Sequence, residues 1–178
     1  MSNVKKYLVT SITLGAIALA SGLLIAGTNV VTIGPIKAYE KKQFNSGIQK
    51  IFGEDASADK EDKKLFNDSN YTYVSCYYEV KDSNEKYIGY LFSAEGSNSY
   101  GKIELIVGFS YDSSALIGFT VLKNEQSFAS TLNKKYIKQV QNGERELTDV
   151  SCGATYGATL IKNMINEAQT ARDSLKGE

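Results

Sequence analysis

The sequence predicts an α+β domain, with an antiparallel sheet flanked by helices, preceded by one N-terminal transmembrane helix. Three observations predict this architecture. The chain begins with a long uncharged apolar run, four short strand-like runs follow one another across tight turns, and segments of helical periodicity stand before and after those runs. Consecutive strands joined by tight turns pair antiparallel, and strands grouped apart from helices are typical of the α+β class.

The first element is the apolar run at 7–34, which contains no charged residue. About 20 apolar residues suffice for a helix to cross the hydrocarbon layer of a membrane. We therefore interpret 7–34 as a transmembrane anchor behind a short tail, residues 1–6. The alternative is a cleaved signal peptide, in which the two lysines before the run form the basic end and the "ALA" at 18–20 is the cleavage site. The anchor is favoured because the apolar run continues past 20.

Residues 35–70 are predicted to form a juxtamembrane helix and a charged loop. Within 36–52 the apolar side chains fall near one helical face; they are Ile36, Tyr39, Phe44, Ile48 and Ile51. The "GEDASADKEDKK" that follows is rich in charge and begins with glycine, which indicates a solvated loop.

The remaining segment, 71–178, is predicted to be a single domain that begins with four strands. The strand-like runs are 71–80, 87–94, 102–110 and 115–122. Alternation in the first run places five side chains on one side of the sheet: Thr72, Val74, Cys76, Tyr78 and Val80. "KDSNE" between the first two runs is a plausible hairpin turn.

The periodicity then becomes helical. Apolar residues at 127–140 recur at helical spacing; they are Phe128, Leu132, Tyr136 or Ile137, and Val140. After "NGERELTD" and "VSCGAT", a second helix carries an apolar face at steps of three and four; its members are Ile161, Met164, Ile165 and Ala168.

Composition excludes several classes of function. The chain has no histidine, and it has two cysteines, Cys76 and Cys152. These counts argue against Ser-His or Cys-His catalysis, zinc and iron–sulfur sites, and we predict no metal ligand and no catalytic residue. The 20 basic residues balance the 20 acidic ones, so a nucleic-acid partner is not expected. Redox or group-transfer chemistry would require an organic cofactor.

Thr155 stands where the Gly- and Ala-rich "VSCGAT" enters the last predicted helix. Two interpretations compete. Thr155 is an N-cap, with its oxygen bonded to an amide of the first turn, or it carries a phosphate ester at the positive end of the helix dipole.

"DVSCGAT", residues 149–155, resembles the flavin-attachment motif of the FMN-binding domain family. That family includes the G subunit of the Rnf electron-transport complex and the C subunit of the sodium-translocating NADH:quinone reductase. The order of features around the motif is also similar to the family's, from a single anchor through "YYEVKD…YIGYLF", "KIELIVGFS" and "IGFTVL". Tyr100 and Gly101 match its Tyr-Gly, and Glu125 matches the Glu after the fourth strand.

The resemblance implies that Thr155 is linked to FMN through a phosphoester, formed by a flavin transferase that uses FAD. It implies that Asp149, Gly153 and Ala154 are the residues that the transferase recognises.

The chain departs from the family pattern at four places. Cys152 replaces a Ser or Thr, and it is either redox-active or a substitute of similar size. Tyr156 and Gly157 replace a small residue and a Thr or Ser, and Tyr156 either stacks on the flavin or packs on the sheet. "QSF" replaces Thr-Pro-Gly after Glu125. A Cys76–Cys152 disulfide is a further alternative, which an external location would permit.

The resemblance therefore implies an electron-transfer flavoprotein, a subunit of an Rnf- or quinone-reductase-like complex that exchanges electrons with redox partner subunits or carriers. The alternatives are a stand-alone flavinylated extracellular carrier and a non-redox surface sensor or adhesion module. We expect a single-pass protein of the cell membrane with its C-terminal domain extracytoplasmic. Lys37, Lys41 and Lys42 after the anchor weigh against that orientation under the positive-inside rule.

Overall fold

The computed structural model describes residues 3–65, 71–113 and 115–175; parts of the predicted tail and charged loop, at 1–2 and 66–70, lie outside the described residues. The chain divides into two compact units, one up to Lys42 and one from Gln43 onward.

The first unit is helical. Helix α1 runs from Asn3 to Phe52 with Pro35 inside it, so the predicted anchor and juxtamembrane helix are parts of one helix. α1 is long and apolar enough to cross a membrane. Hydroxyl side chains in its apolar stretch donate to the carbonyl four residues earlier, as Thr13 does to Val9 at 2.8 Å. Such bonds satisfy the hydroxyls inside the helix, which hydrocarbon surroundings require.

The second unit is built on five strands: β1 (Lys64–Leu65), β2 (Val74–Lys81), β3 (Tyr87–Asn98), β4 (Gly101–Ser110) and β5 (Leu116–Asn124). They form one antiparallel sheet in chain order. The predicted α+β class is confirmed, and four strands lie where the sequence predicts them. β1 was not predicted, because two residues are too few to show a period.

Three short helical segments and one long helix follow the sheet. The segments are α2 (Ala129–Leu132), a π-helical turn (Asn133–Ile137) and α3 (Lys138–Gln141), which together occupy the helix predicted at 127–140. The long helix, α4, spans Thr155–Ser174, and its predicted apolar face is buried.

Separate hydrophobic cores cover the two faces of the sheet. On one face α4 packs against β3 and β4, with Ile161 and Met164 in the same cluster as Phe92 and Leu105. On the other face the end of α1 contributes Phe44 and Ile48, which pack with Leu91 and Ile106. Neighbouring residues of β3 and β4 thus enter opposite cores, as the pleat requires.

The cysteines lie in different cores. Cys152 belongs to the cluster under α4, and Cys76 belongs to the cluster under α1. Both are free thiols. The alternative of a Cys76–Cys152 disulfide is therefore wrong, because the sheet separates the two side chains.

The prediction that alternate side chains of 71–80, from Thr72 to Val80, lie on one side of the sheet is wrong at the beginning of that run. Val74 packs in the core under α4, whereas Cys76, Tyr78 and Val80 pack in the core under α1, and Thr72 is exposed. The pairing of β2 with β3 shifts register between Val74 and Cys76. A bulge of this kind inserts one residue and reverses the side on which the following residues point.

A carboxylate on α4 satisfies the backbone beside this bulge. Glu167 accepts hydrogen bonds from the amides of Tyr73 and Val74, the latter at 2.8 Å. We expect Glu167→Ala to lower the free energy of unfolding by about 2 kcal/mol, because both amides lose their acceptor. Glu167→Gln keeps an acceptor and should cost less. Urea denaturation measures both changes, and exposed Asp173→Ala on the same helix is the control. Equal effects of Glu167→Ala and Asp173→Ala would contradict the assignment.

Candidate functional site

A cavity of about 240 Å³ opens at the beginning of α4. It is lined from three directions: the β3–β4 turn, the segment after β5, and the first turn of α4. Its lining residues are Tyr100, Gln126, Phe128, Leu132, Gly153, Ala154, Thr155, Tyr156 and Gly157. Four of the seven site residues that the sequence predicts therefore meet at this cavity.

Thr155 is exposed and is the first residue of α4. The N-cap is Ala154, and no side chain caps the helix. Within the described residues, the Thr155 hydroxyl makes no hydrogen bond. The interpretation of Thr155 as an N-cap is therefore wrong, because Ala154 occupies the N-cap position and no side-chain bond caps the helix.

The first amides of α4 are available beside this hydroxyl. The first intrahelical bond runs from the Ala158 amide to the Ala154 carbonyl, at 3.0 Å. In the part of the chain that the structure describes, the amides of Thr155, Tyr156 and Gly157 have no acceptor. Unpaired amides at the positive end of a helix dipole stabilise a bound anion.

Two glycines bring the chain into this arrangement. Gly153 has a φ of +80°, in the left-handed region that side chains disfavour. At Gly157 a Cβ would lie 2.7 Å from a methyl carbon of Leu132, so a larger residue there would require the Leu132 side chain to shift. The Gly-Ala-Thr sequence thus meets a backbone requirement at its glycine, and the departure from the family pattern at Gly157 has a packing reason.

Three exposed aromatic side chains surround the cavity. The ring of Tyr100 lies 5.9 Å from that of Phe128 and 5.3 Å from that of Tyr156, centroid to centroid. Phe128 and Tyr156 are 53% and 69% exposed. Packing of Tyr156 on the sheet is therefore wrong. Unburied aromatic rings beside a cavity are typical of a surface that stacks on a planar ligand.

The sequence did not identify Gln126 or Phe128 as site residues. They belong to "QSF", the segment in which the chain departs from the family pattern after Glu125. A single aromatic residue four positions after the end of a strand has no sequence signal of its own, and only the fold shows that Phe128 lies beside Tyr100.

Three predicted site residues lie outside the cavity lining. Glu125 is half exposed and pairs with Lys123 at 2.8 Å, and that lysine lowers the pKa of the Glu125 carboxyl. Cys152 is buried in the core under α4, which favours its interpretation as a substitute of similar size. Asp149 pairs with Arg145 at 2.7 Å and accepts from the Ser151 amide at 3.2 Å.

Arg145 holds together the loop that leads to Thr155. Its guanidinium donates to the Asp149 carboxylate and to the backbone carbonyls of Asp149 and Ser151. Its Nε donates to Gln139 on α3 at 2.9 Å. Asp149 therefore shapes the loop that leads to Thr155 from within.

Tyr136 anchors the same loop from the core. Its hydroxyl donates to the Leu147 carbonyl at 2.6 Å, and burial raises the pKa of Tyr136. We expect Tyr136→Phe to destabilise the domain by about 1 kcal/mol at pH 7, because the carbonyl loses its donor.

The effect of Tyr136→Phe should depend on pH with a definite sign. The raised pKa contributes its full stabilisation of the folded state at pH values below the pKa of an unfolded tyrosine, about 10. This stabilisation is lost as the pH rises through the folded-state pKa. The difference between wild type and variant should shrink above pH 10 in urea titrations. A constant difference from pH 7 to pH 11 would contradict this account.

Comparison with known proteins agrees with the resemblance noted in the sequence. The G subunit of an ion-translocating oxidoreductase complex from Methanosarcina acetivorans is 27% identical over 124 residues, which cover 70% of the chain. The chain resembles an Rnf-type G subunit. The aligned segment spans 64% of the length of that archaeal protein. No protein-family model matches the chain.

Proposed function

We propose that this chain is a membrane-anchored electron-transfer flavoprotein that carries FMN as a phosphoester on Thr155. The observation that carries the proposal is the environment of the Thr155 hydroxyl. It is exposed, and within the described residues it makes no hydrogen bond. It lies beside three helix amides that no described group accepts from, at the mouth of a cavity lined with aromatic rings.

The residues at the cavity fit each part of FMN. The amides at the start of α4 suit a phosphate group attached to Thr155. Tyr100, Phe128 and Tyr156 offer aromatic surface to the ring system. Pockets that enclose a whole ligand of this size measure roughly 300–1,000 Å³, so a cavity of about 240 Å³ suits the inner part of the ring and leaves an edge outside.

Attachment to Thr155 requires a bond to be made and a bond to be broken. The Thr155 oxygen forms the ester with the phosphorus of the FMN half of FAD. The pyrophosphate bond of FAD breaks, AMP is the leaving group, and the hydroxyl proton passes to solvent. A flavin transferase that uses FAD is the partner for this step. Exposure of Thr155 and the shape of the loop held by Asp149 give such an enzyme access.

FMN, when bound, supplies a centre that takes up and releases one or two electrons. The chain's own residues orient and retain it. A covalent tether keeps the cofactor at high effective concentration, which suits an extracytoplasmic domain held to the membrane by α1. We place the domain in an Rnf- or quinone-reductase-like complex, as the resemblance to an Rnf-type G subunit supports, with neighbouring proteins of the complex as donor and acceptor.

Intact mass spectrometry tests the proposal. The protein is produced with a flavin transferase and compared with protein produced without one. We expect an added mass of one FMN less one water, and flavin fluorescence that survives denaturing electrophoresis, only with the transferase. Folded protein that remains unmodified beside an active transferase would overturn the proposal and favour a non-redox surface module.

A further inference from the structure

Gln126 is a buried polar residue in the cavity wall. Its side chain is 6% exposed, and it lies between the end of β5 and the beginning of α2. A buried amide needs partners for its oxygen as well as its nitrogen. The orientation of the amide decides which of the two faces the cavity.

Backbone groups fix that orientation through Asn98. The Tyr100 amide donates to Asn98 Oδ1 at 2.9 Å, and Asn98 Nδ2 donates to the Tyr156 carbonyl at 3.2 Å. Exchange of the Asn98 side-chain oxygen and nitrogen would break both bonds, because the Tyr100 amide needs an acceptor and the Tyr156 carbonyl needs a donor. Gln126 Nε2 then donates to Asn98 Oδ1, at 3.1 Å, and to the Gly101 carbonyl. Both N–H groups of the Gln126 amide therefore have acceptors, and Oε1 is the side-chain atom left to accept a hydrogen bond.

Gln126 Oε1 faces the cavity wall formed by α4. It lies 3.3 Å from the position that a Cβ on Gly157 would occupy, and Gly157 lines the cavity. Within the described residues it accepts no hydrogen bond. Among the described residues, Oε1 is not one of the fully buried polar atoms that lack a partner, so it is accessible from the cavity. An accessible acceptor that no protein group bonds suits an occupant that brings an N–H.

We propose that Gln126 Oε1 accepts a hydrogen bond from N3–H of the flavin. This inference rests on the function proposed above. The oxidised isoalloxazine carries one N–H, at N3 of its pyrimidine ring, and that is the donor which the Gln126 oxygen matches. The pyrimidine edge therefore lies inward beside Gln126, and the dimethylbenzene edge lies at the open side, where a redox partner approaches.

Nuclear magnetic resonance on the flavin-loaded protein tests this orientation. Protein and flavin are labelled together in ¹⁵N medium, and the N3–H proton is followed by ¹⁵N–¹H correlation. We expect a resolved N3–H signal in the wild type, with exchange at least tenfold slower than in Gln126→Met, which has similar volume and no acceptor amide. Gln126→Asn, which withdraws the amide by one methylene, should also accelerate exchange.

Ser127→Ala is the matched control. Its hydroxyl is exposed and donates to the Tyr100 carbonyl at 3.3 Å, beside the cavity but outside its lining. The control should retain slow N3–H exchange. Equal exchange in wild type and both Gln126 variants, or no N3–H signal in loaded wild type, would overturn the inference about Gln126. Failure of the wild type to acquire FMN would instead overturn the proposed function, so the two failures are distinguishable.

Discussion

Thr155→Ala should abolish covalent attachment of FMN and leave the domain folded. The variant lacks the oxygen that we propose forms the ester, so the added mass and the fluorescent band should both disappear. Stability should change by no more than about 0.5 kcal/mol, because the hydroxyl is exposed, caps no amide and bonds to no other described group. Intact mass and urea denaturation on the same preparation measure the two quantities.

Ser151→Ala provides a control within the same loop. Ser151 is also exposed, and it is held by its backbone, since its amide donates to Asp149 and its carbonyl accepts from Arg145. Removal of its hydroxyl leaves those bonds intact, so full modification is expected. If Thr155→Ala kept its flavin, or if Ser151→Ala lost it, the ester would have to lie at another hydroxyl.

Periodicity in the sequence was sufficient to predict an element where only one of its faces is packed. The apolar steps of α4 reflect one packed face, and the structure has this helix where the sequence predicts it. The bulge at Val74 was not predictable in the same way. It depends on Glu167, which lies far along the chain and supplies the acceptor for the amides beside it.

The candidate site was predictable where it depends on short-range chemistry. The glycine at 153 and the hydroxyl at 155 are close in sequence and act together in space. The rest of the cavity comes from the β3–β4 turn and the segment after β5, which only the antiparallel meander brings to α4. Asn98 and Gln126 illustrate this limit, since 28 positions separate two amides that bond to each other.

Gly101→Ala should be the most destabilising single substitution near the cavity, at about 2–6 kcal/mol. Gly101 begins β4 with a φ of +132°, a conformation that costs a residue with a Cβ roughly 1–3 kcal/mol. A Cβ there would also overlap the carbonyl oxygen of Glu125, which belongs to backbone and cannot move aside cheaply. Overpacking of this kind adds about 1–3 kcal/mol. Urea denaturation of the flavin-free domain measures the loss.

Gly143→Ala measures the cost of a positive φ at a glycine whose added Cβ would overlap no neighbour. Gly143 also has a positive φ, +73°, but nothing lies within 4 Å of its Cβ position, so this variant isolates the backbone strain at about 1 kcal/mol. The excess cost at Gly101 then contains the overlap between the β3–β4 turn and the segment after β5 together with the additional strain of its φ of +132°. Since the Gly101 carbonyl also holds Gln126, that contact positions the cavity wall. Equal costs at the two glycines would mean that the turn shifts freely, and the cavity would then not be preformed by the fold.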